Sequence, residues 1–245
     1  MSDWILNANQ YERLWEGLQV SLRVLAFSFL LGVLLALVVG VARLSHRTWV
    51  RGAALVYVEF SRGISSIVLL FWMAVALPIL LDLSQGNLIV LSSIALGINM
   101  GGYGAEIIRG AIQSVPRGQT EASIALNLTN TQRLRFIVLP QAMRVILPPM
   151  GNLTIEILKG TALVSLVGVS DLTFEIDKLN TNQALSSDPV STPVLFLNGL
   201  VIYFVVAQII NVAFRAIERR VERRFEGRRP ELSADLEHAA PGVTG

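Results

Sequence analysis

The chain has 245 residues, 53% of them hydrophobic and 16% charged, with a mean hydropathy of +0.57. Soluble domains carry about 25% charged residues, so an ordinary water-soluble enzyme is excluded, and the bias is opposite to that of a disordered chain. There is no cysteine, and the two histidines are His46 and His238, which removes disulfides, thiolate zinc sites, Cys nucleophiles and His-based triads. The net charge of +2 is small, so what matters is where the charges sit.

Residues 1–17 carry Arg13 against Asp3, Glu12 and Glu16 and are expected to lie outside the membrane. No basic segment opens the chain, and the first apolar run is too long for a cleaved leader. That run, residues 18–41, contains one charge, Arg23, and makes about 36 Å of helix at ~1.5 Å per residue. Comparable runs follow at 53–81, 88–108, 137–169 and 194–213. The expectation is an all-α membrane protein with five transmembrane helices.

Basic residues near span ends set orientation. Arg43, Arg47 and Arg51 follow the first run, and Arg109, Arg117, Arg133 and Arg135 follow the third. Arg215, Arg219, Arg220, Arg223, Arg224, Arg228 and Arg229 follow the fifth. The alternate connections are poor in Lys and Arg: residues 82–87 have none, and 170–193 have Lys178 against Asp171, Glu175, Asp177 and Asp188. The expected arrangement is N-terminus outside and C-terminus cytoplasmic. After the last run, Phe214, Ile217, Val221 and Phe225 mark one face of a basic helix suited to anionic lipid headgroups rather than nucleic acid. Residues 226–245 are expected to be a disordered cytoplasmic tail.

The segment 114–136 is more structured than a plain membrane loop. Residues 120–126 favour helix, and Asn127 is the commonest substitute for Gly at a left-handed helix end. Thr129-Asn130-Thr131-Gln132 then has capping-box spacing. Two short helices joined by a tight turn make a stiff knob.

This stretch resembles the EAA loop of bacterial ABC-importer permeases, whose pattern is E-A-A, three residues, G, nine residues, I, one residue, L-P. Here it reads Glu121-Ala122-Ser123, Asn127, Ile137 and Leu139-Pro140, with Ser123 for the second Ala and Asn127 for the Gly. Val115-Pro116-Arg117-Gly118-Gln119 resembles the preceding V-P-x-G-Q. Tyr57-Val58-Glu59-Phe60-Ser61-Arg62-Gly63 resembles Y-x-E-x-x-R-G, and Leu139-Pro140-Gln141-Ala142 and Leu147-Pro148-Pro149-Met150-Gly151-Asn152 match L-P-Q-A and L-P-P-x-x-N. Lys159-Gly160-Thr161-Ala162-Leu163-Val164 resembles K-D-T-S-L-V without its Asp and Ser. The likeness covers about residues 15–225 and is to the polar amino-acid (histidine/glutamine-type) permeases. Ala125-Leu126-Asn127 and the Lys159-to-Leu163 stretch are also similar to ectoine and hydroxyectoine permeases.

The resemblance implies a type I ABC importer in the bacterial inner membrane. A periplasmic binding protein delivers a small polar solute, and two permease chains, identical or paralogous, form the path. A cytoplasmic ATPase dimer receives Gly118, Glu121, Ala122, Ser123, Asn127, Ile137, Leu139 and Pro140. The chain has no G-x-x-x-x-G-K-[ST] loop, and Gly101-Gly102-Tyr103-Gly104 lies within a span and lacks the lysine. No cofactor is therefore expected on this chain, with ATP and Mg binding the partner ATPase, and the chain is expected to be a transport subunit rather than an enzyme.

Three acid–base pairs, Glu59–Arg62, Glu106–Arg109 and Glu156–Lys159, have helical i,i+3 spacing. Charges at membrane depth need partners or a cavity. The first two pairs are expected to neutralise themselves or to clamp a neighbouring helix, although Glu59 and Arg62 also count as path candidates. Pro148, Pro149 and Gly151 are expected to break the fourth span, exposing Glu156, Asn152 and Lys159 to the solute path. Gly97-x-x-x-Gly101 suits close helix packing, with Asn99 beside it as a further path candidate. An ion-coupled secondary transporter using the buried pairs is the alternative; the absence of an internal repeat weighs against it.

Overall fold

The computed structural model describes residues 6–82, 87–182 and 190–226, with side chains through Arg223. Residues 227–245, most of the expected disordered tail, lie outside the described residues. The elements are α1 (Ala8–Ala42), α2 (Thr48–Gly63), α3 (Ser66–Phe71), a π turn (Trp72–Ala76), α4 (Leu77–Leu80) and α5 (Leu88–Gln113). Then come α6 (Arg117–Ala125), α7 (Asn130–Arg133), a second π turn (Leu134–Val138), α8 (Leu139–Gly160), a 3₁₀ segment (Thr161–Val167), α9 (Leu172–Thr181) and α10 (Thr192–Glu226). Every regular element among the described residues is helical.

Helix α1 starts ahead of its apolar run because Asn7 and Gln10 form a capping box, each side chain bonding the other's amide at 2.9 Å. Small residues then carry α1 along α5. Ser28 Oγ donates to Ser93 O at 3.1 Å. A Cβ on Gly32 would stand 2.7 Å from Met100, and one on Gly104 would stand 2.7 Å from the Ala36 Cβ. Such close approach is how membrane helices gain dispersion energy where burial from water offers nothing.

Residue numbers rise together along this seam, so α1 and α5 run parallel. The chain between two parallel spans must recross the membrane. The returning element is α2 with α3–α4, bent by 102° at Gly63–Ser65. Four continuous helices and this bent pair therefore make five crossings. The span expected over 53–81 is interrupted within its run: Ile64 is extended (φ −86°, ψ 142°), and the carbonyls freed by the break are taken up by side chains of α5.

Both π turns stand just ahead of a Leu-Pro pair. Pro78 and Pro140 cannot donate, and the preceding Leu77 and Leu139 amides reach five residues back, to Trp72 O and Leu134 O. Pro148 and Pro149, by contrast, do not break α8, which is continuous from Leu139 to Gly160. Its opposite face buries Ile146, Leu147, Met150, Leu153 and Ile157, and Gly151 lets the Phe214 ring of α10 approach to 3.0 Å of a notional Cβ. That packing holds the helix together across the two missing donors.

Met150 lies against Gly104 and Leu96 against Gly160, so α8 runs antiparallel to α5. Helix α10 continues as one rod through the expected fifth span and the basic helix beyond it. Phe27, Leu30, Leu34 and Val38 of α1 and Leu200, Phe204, Ile209 and Val212 of α10 remain exposed, an apolar belt suited to lipid. The connection carrying Arg43, the segment 114–136 and the end of α10 all gather at one end of the bundle.

The other end is closed by α9. Asp171 is fully buried and caps α9, accepting from the Thr173 and Phe174 amides at 3.2 and 3.0 Å. Ser21 Oγ of α1 accepts from the Leu172 amide at 3.1 Å, and Tyr203 Oη of α10 lies 3.1 Å from Thr173 Oγ1 and 3.5 Å from the Asp171 carboxylate. Leu14, Leu18, Leu172, Ile176 and Leu195 pack around this knot.

Two outcomes follow. Replacing Ala36→Leu should overpack the α1–α5 seam and cost about 1–3 kcal/mol, read as a lower melting temperature in detergent, whereas Val38→Leu on the exposed side should leave it unchanged. Burial pushes the Asp171 carboxyl from its ordinary 3.8 up to about 6, against amide hydrogen bonds that favour the anion. The folded chain thus keeps a proton that the unfolded chain releases. This stabilisation is complete below about pH 3.8 and lost as pH rises through about 6. The melting-temperature difference between the unmodified chain and Asp171→Asn should shift in that window, to the disadvantage of the unmodified chain as pH rises. A difference that stays flat with pH would refute the assignment.

Candidate functional site

The knob is built by local rules. Helix α6 ends in a Schellman turn: Leu128 N donates to Ser123 O at 3.0 Å and Asn127 N to Ile124 O at 2.8 Å. Asn127 takes the left-handed conformation, φ +57°, as its place at the helix end requires. Thr129 and Gln132 close the expected capping box, with Gln132 N to Thr129 Oγ1 at 3.3 Å and Thr129 N to Gln132 Oε1 at 2.9 Å. Ser123 is buried, its hydroxyl donating to Thr120 O at 2.6 Å. Glu121, Ala122 and Gly118 are exposed, and Ile137, Leu139 and Pro140 are half-buried at the root of α8.

Three exposed apolar side chains on this knob escaped the sequence reading: Ile124, Leu126 (73% exposed) and Phe136. The available signal was Leu126 next to the αL residue, where a helix end projects its side chain outward. A second omission is structural. Gln141 Nε2 donates to Gln119 Oε1 at 3.2 Å and to Ile137 O at 3.0 Å, tying α6 to the first turn of α8. A groove of about 450 Å³ runs beneath the tie, lined in part by Pro116, Phe136 and Arg144.

The second feature lies among the spans. Arg62, Tyr103, Glu106, Pro149, Asn152 and Glu156 line a groove of about 380 Å³ between α2, α5 and α8. The antiparallel register sets Glu156 level with the middle of α5. Asn152 and Glu156 line the groove from the unbroken α8, without the break expected there, while Lys159 is exposed one turn further on and is not part of its lining.

Of the three i,i+3 pairs, one closes. Arg109 Nε donates to both Glu106 oxygens at 3.0 and 2.9 Å, and Arg43 adds a second cation at 3.5 Å. Glu59–Arg62 and Glu156–Lys159 form no ion pair among the described residues. Of the two roles expected of Arg62, neutralising Glu59 or clamping a neighbouring helix, the structure has the second: its guanidinium lies over the Tyr103 ring of α5, 5.5 Å from its centroid. Asn99 as a path candidate is corrected. It is 8% exposed and donates to Ser61 O at 2.8 Å, so it serves the bend of the second span and does not face the groove.

Residues 28–223 match the family described as binding-protein-dependent transport system inner membrane component. The chain belongs to this family. The permease is 39% identical over 214 residues to a probable amino-acid ABC transporter permease protein of Sinorhizobium fredii, covering 86% of this chain and 87% of that one. It is 32% identical to an L-cystine transport system permease protein of Bacillus subtilis (84% and 86% covered) and 29% identical to the glutamine transport system permease protein of Escherichia coli (90% and 98%). Among solved structures, an amino acid ABC transporter crystallised with histidines superposes with a TM-score of 0.76 at 30% identity, covering 86% of this chain and 94% of that one. An inward-facing methionine ABC transporter has the same fold at a TM-score of 0.70 and 21% identity, with 88% and 99% covered. The protein is accordingly an ABC-importer permease of the bacterial inner membrane.

The knob's backbone gives one direct test. Asn127→Gly should keep transport at or near its original rate, because Gly adopts φ > 0 freely. Asn127→Val should cost about 1–2 kcal/mol of local stability and lower uptake severalfold. Uptake in vesicles checks both.

Proposed function

We propose that this permease pairs with a second permease chain to pass a small zwitterionic, amino-acid-like solute along the α2–α5–α8 groove. Two cytoplasmic ATPase subunits drive the cycle through the 114–136 knob, and a periplasmic binding protein delivers solute at the α9 end. The orientation rests on the arginine-rich connections collected at the knob end. ATP and Mg belong to the ATPase; this chain supplies the moving walls.

The observation that carries the reading is the exposed charge on the groove face. Arg62, over the Tyr103 ring, and Glu156, in no ion pair among the described residues, are both exposed on the groove wall at span depth, where contact with lipid is costly. A second chain or a water-filled path must cover them. An exposed cation and an exposed carboxylate on one groove suit a solute carrying both charges. The relatives named for glutamine and L-cystine point the same way, and a compatible solute such as ectoine has the same charge pattern. At the knob, Glu121 and the exposed Ile124, Leu126 and Phe136 offer a mixed acidic and apolar surface for a socket on the ATPase. An ion-driven mechanism has no use for that surface.

Glu121→Lys should reduce ATP-dependent uptake at least about tenfold, equivalent to roughly 1.4 kcal/mol of lost coupling, while membrane insertion stays normal. Uptake by proteoliposomes holding permease, ATPase and binding protein provides the measurement. Undiminished transport by this variant would remove the knob from the coupling route.

A further inference from the structure

The break in the second span leaves a problem of unpaired backbone. The last carbonyls of α2 have no amide one turn ahead, because Ile64 and Ser65 are extended. Ile64 N still serves Phe60 O at 3.0 Å. Ser61 O and Arg62 O are served from another helix: Asn99 Nδ2 donates to the first at 2.8 Å and Tyr103 Oη to the second at 3.5 Å. In return, Tyr57 Oη donates to Ile98 O of α5 at 2.8 Å.

The fit around these bonds is tight. A Cβ on Gly101 would stand 2.5 Å from Tyr57 Oη, and one on Gly102 would collide with Ser61 Oγ. Tyr57, Ser61 and Arg62 thus mesh with Asn99, Gly101, Gly102 and Tyr103 as one interlock. Tyr103 acts twice in it: its hydroxyl reaches the Arg62 carbonyl and its ring lies under the Arg62 guanidinium. The interlock therefore sets both the direction of the bend and the aim of Arg62.

We propose that Asn99 and Tyr103 are positioning residues for transport, which cap the broken end of α2 from α5 and so hold Arg62 toward the groove. This rests on the groove being the solute path. Asn99 acts from behind the groove and Tyr103 from its wall. When α5 moves, the end of α2 and Arg62 move with it, because their carbonyls are bonded to α5 and to no turn of their own.

The chain contains no cysteine, so a single Arg62→Cys reports on this position alone. Its reaction rate with a water-soluble maleimide, in permease assembled with its ATPase, should change severalfold when Asn99→Leu is added, and Asn99→Gln should restore most of the original rate. In proteoliposomes with binding protein, Asn99→Leu should lower solute moved per ATP hydrolysed about tenfold, as expected for losing one buried hydrogen bond, while ATPase activity per assembled complex stays within about twofold. Tyr103→Phe keeps the ring, removes the weaker bond, and should lower the same ratio by about two- to threefold. An unchanged maleimide rate, an unchanged ratio, or transport and ATPase falling together in both Asn99→Leu and Tyr103→Phe overturns the proposal. Arg62→Gln tests the premise separately: full transport by that variant sinks the groove reading, and the maleimide rates still decide whether the interlock orients position 62.

Discussion

In the hydrocarbon core no water is at hand, so each backbone N–H and C=O must find its partner inside the protein. This constraint explains why irregularities in this permease come with compensating donors nearby. Before Pro78 and Pro140 the helix widens into a π turn, and the Leu amide ahead of each proline bonds five residues back. At Gly63–Ser65 the helix stops altogether, and α5 lends Asn99 and Tyr103 to the exposed carbonyls. Where the chain leaves the fourth span, Thr161 Oγ1 turns back onto Leu158 O at 2.7 Å, and Gly168 takes φ +87° to end the 3₁₀ segment.

The same constraint gives small residues their value. Ser28, Gly32, Ala36 and Gly40 recur every four residues on α1 and are buried against α5. Apolar side chains gain little by leaving lipid, so cohesion comes from close backbone approach and dispersion. The resulting parallel pair is the rigid reference of the fold. It dictates that the intervening segment cross the membrane, and α8 and α10 then pack across it. Glycines at 97, 101, 102 and 104 serve two neighbours: the Leu31, Leu35 and Ala36 side of α1 and the Tyr57 and Ser61 side of α2.

Much of this was legible in the sequence, where the signal was local. Apolar runs marked the spans, Asn127 marked a left-handed helix end, Thr129 and Gln132 marked a cap, and Gly97-x-x-x-Gly101 marked a close helix contact. What failed depended on partners distant in the chain. The break at Gly63 lies inside an apolar run, and what sustains it, Asn99, sits 38 residues from Ser61. Pro148 and Pro149 look like a break, yet packing of the opposite face of α8 onto α5 and α10 overrides them. Asn99 looked like a path residue because polar groups at membrane depth suggest function; its use here is to satisfy a carbonyl. Spacing left Arg62 between pairing with Glu59 and clamping a neighbouring helix, because spacing does not include the Tyr103 ring contributed by α5.

These features also determine where the permease can bend. An intact helix transmits displacement along its axis, and a joint forms where the bonding ladder is weakened or borrowed. Tracing inward from the knob, α6 is tied to α8 by Gln119 and Gln141, and the nearest joint is the π turn Leu134–Val138. Helix α8 then runs unbroken past the groove, with Met150 against Gly104 of α5, so a tilt of α8 presses on α5 directly. Helix α5 holds the broken end of α2. Contiguity of this kind does not by itself amount to coupling, which requires two states of different energy. It does point to joints: among the described residues the two π turns, the bend at Gly63–Ser65 and the 3₁₀ segment Thr161–Val167 interrupt the α-helical ladder, and the bend is the joint that adjoins Arg62. A continuous second span would have offered no such joint beside the groove.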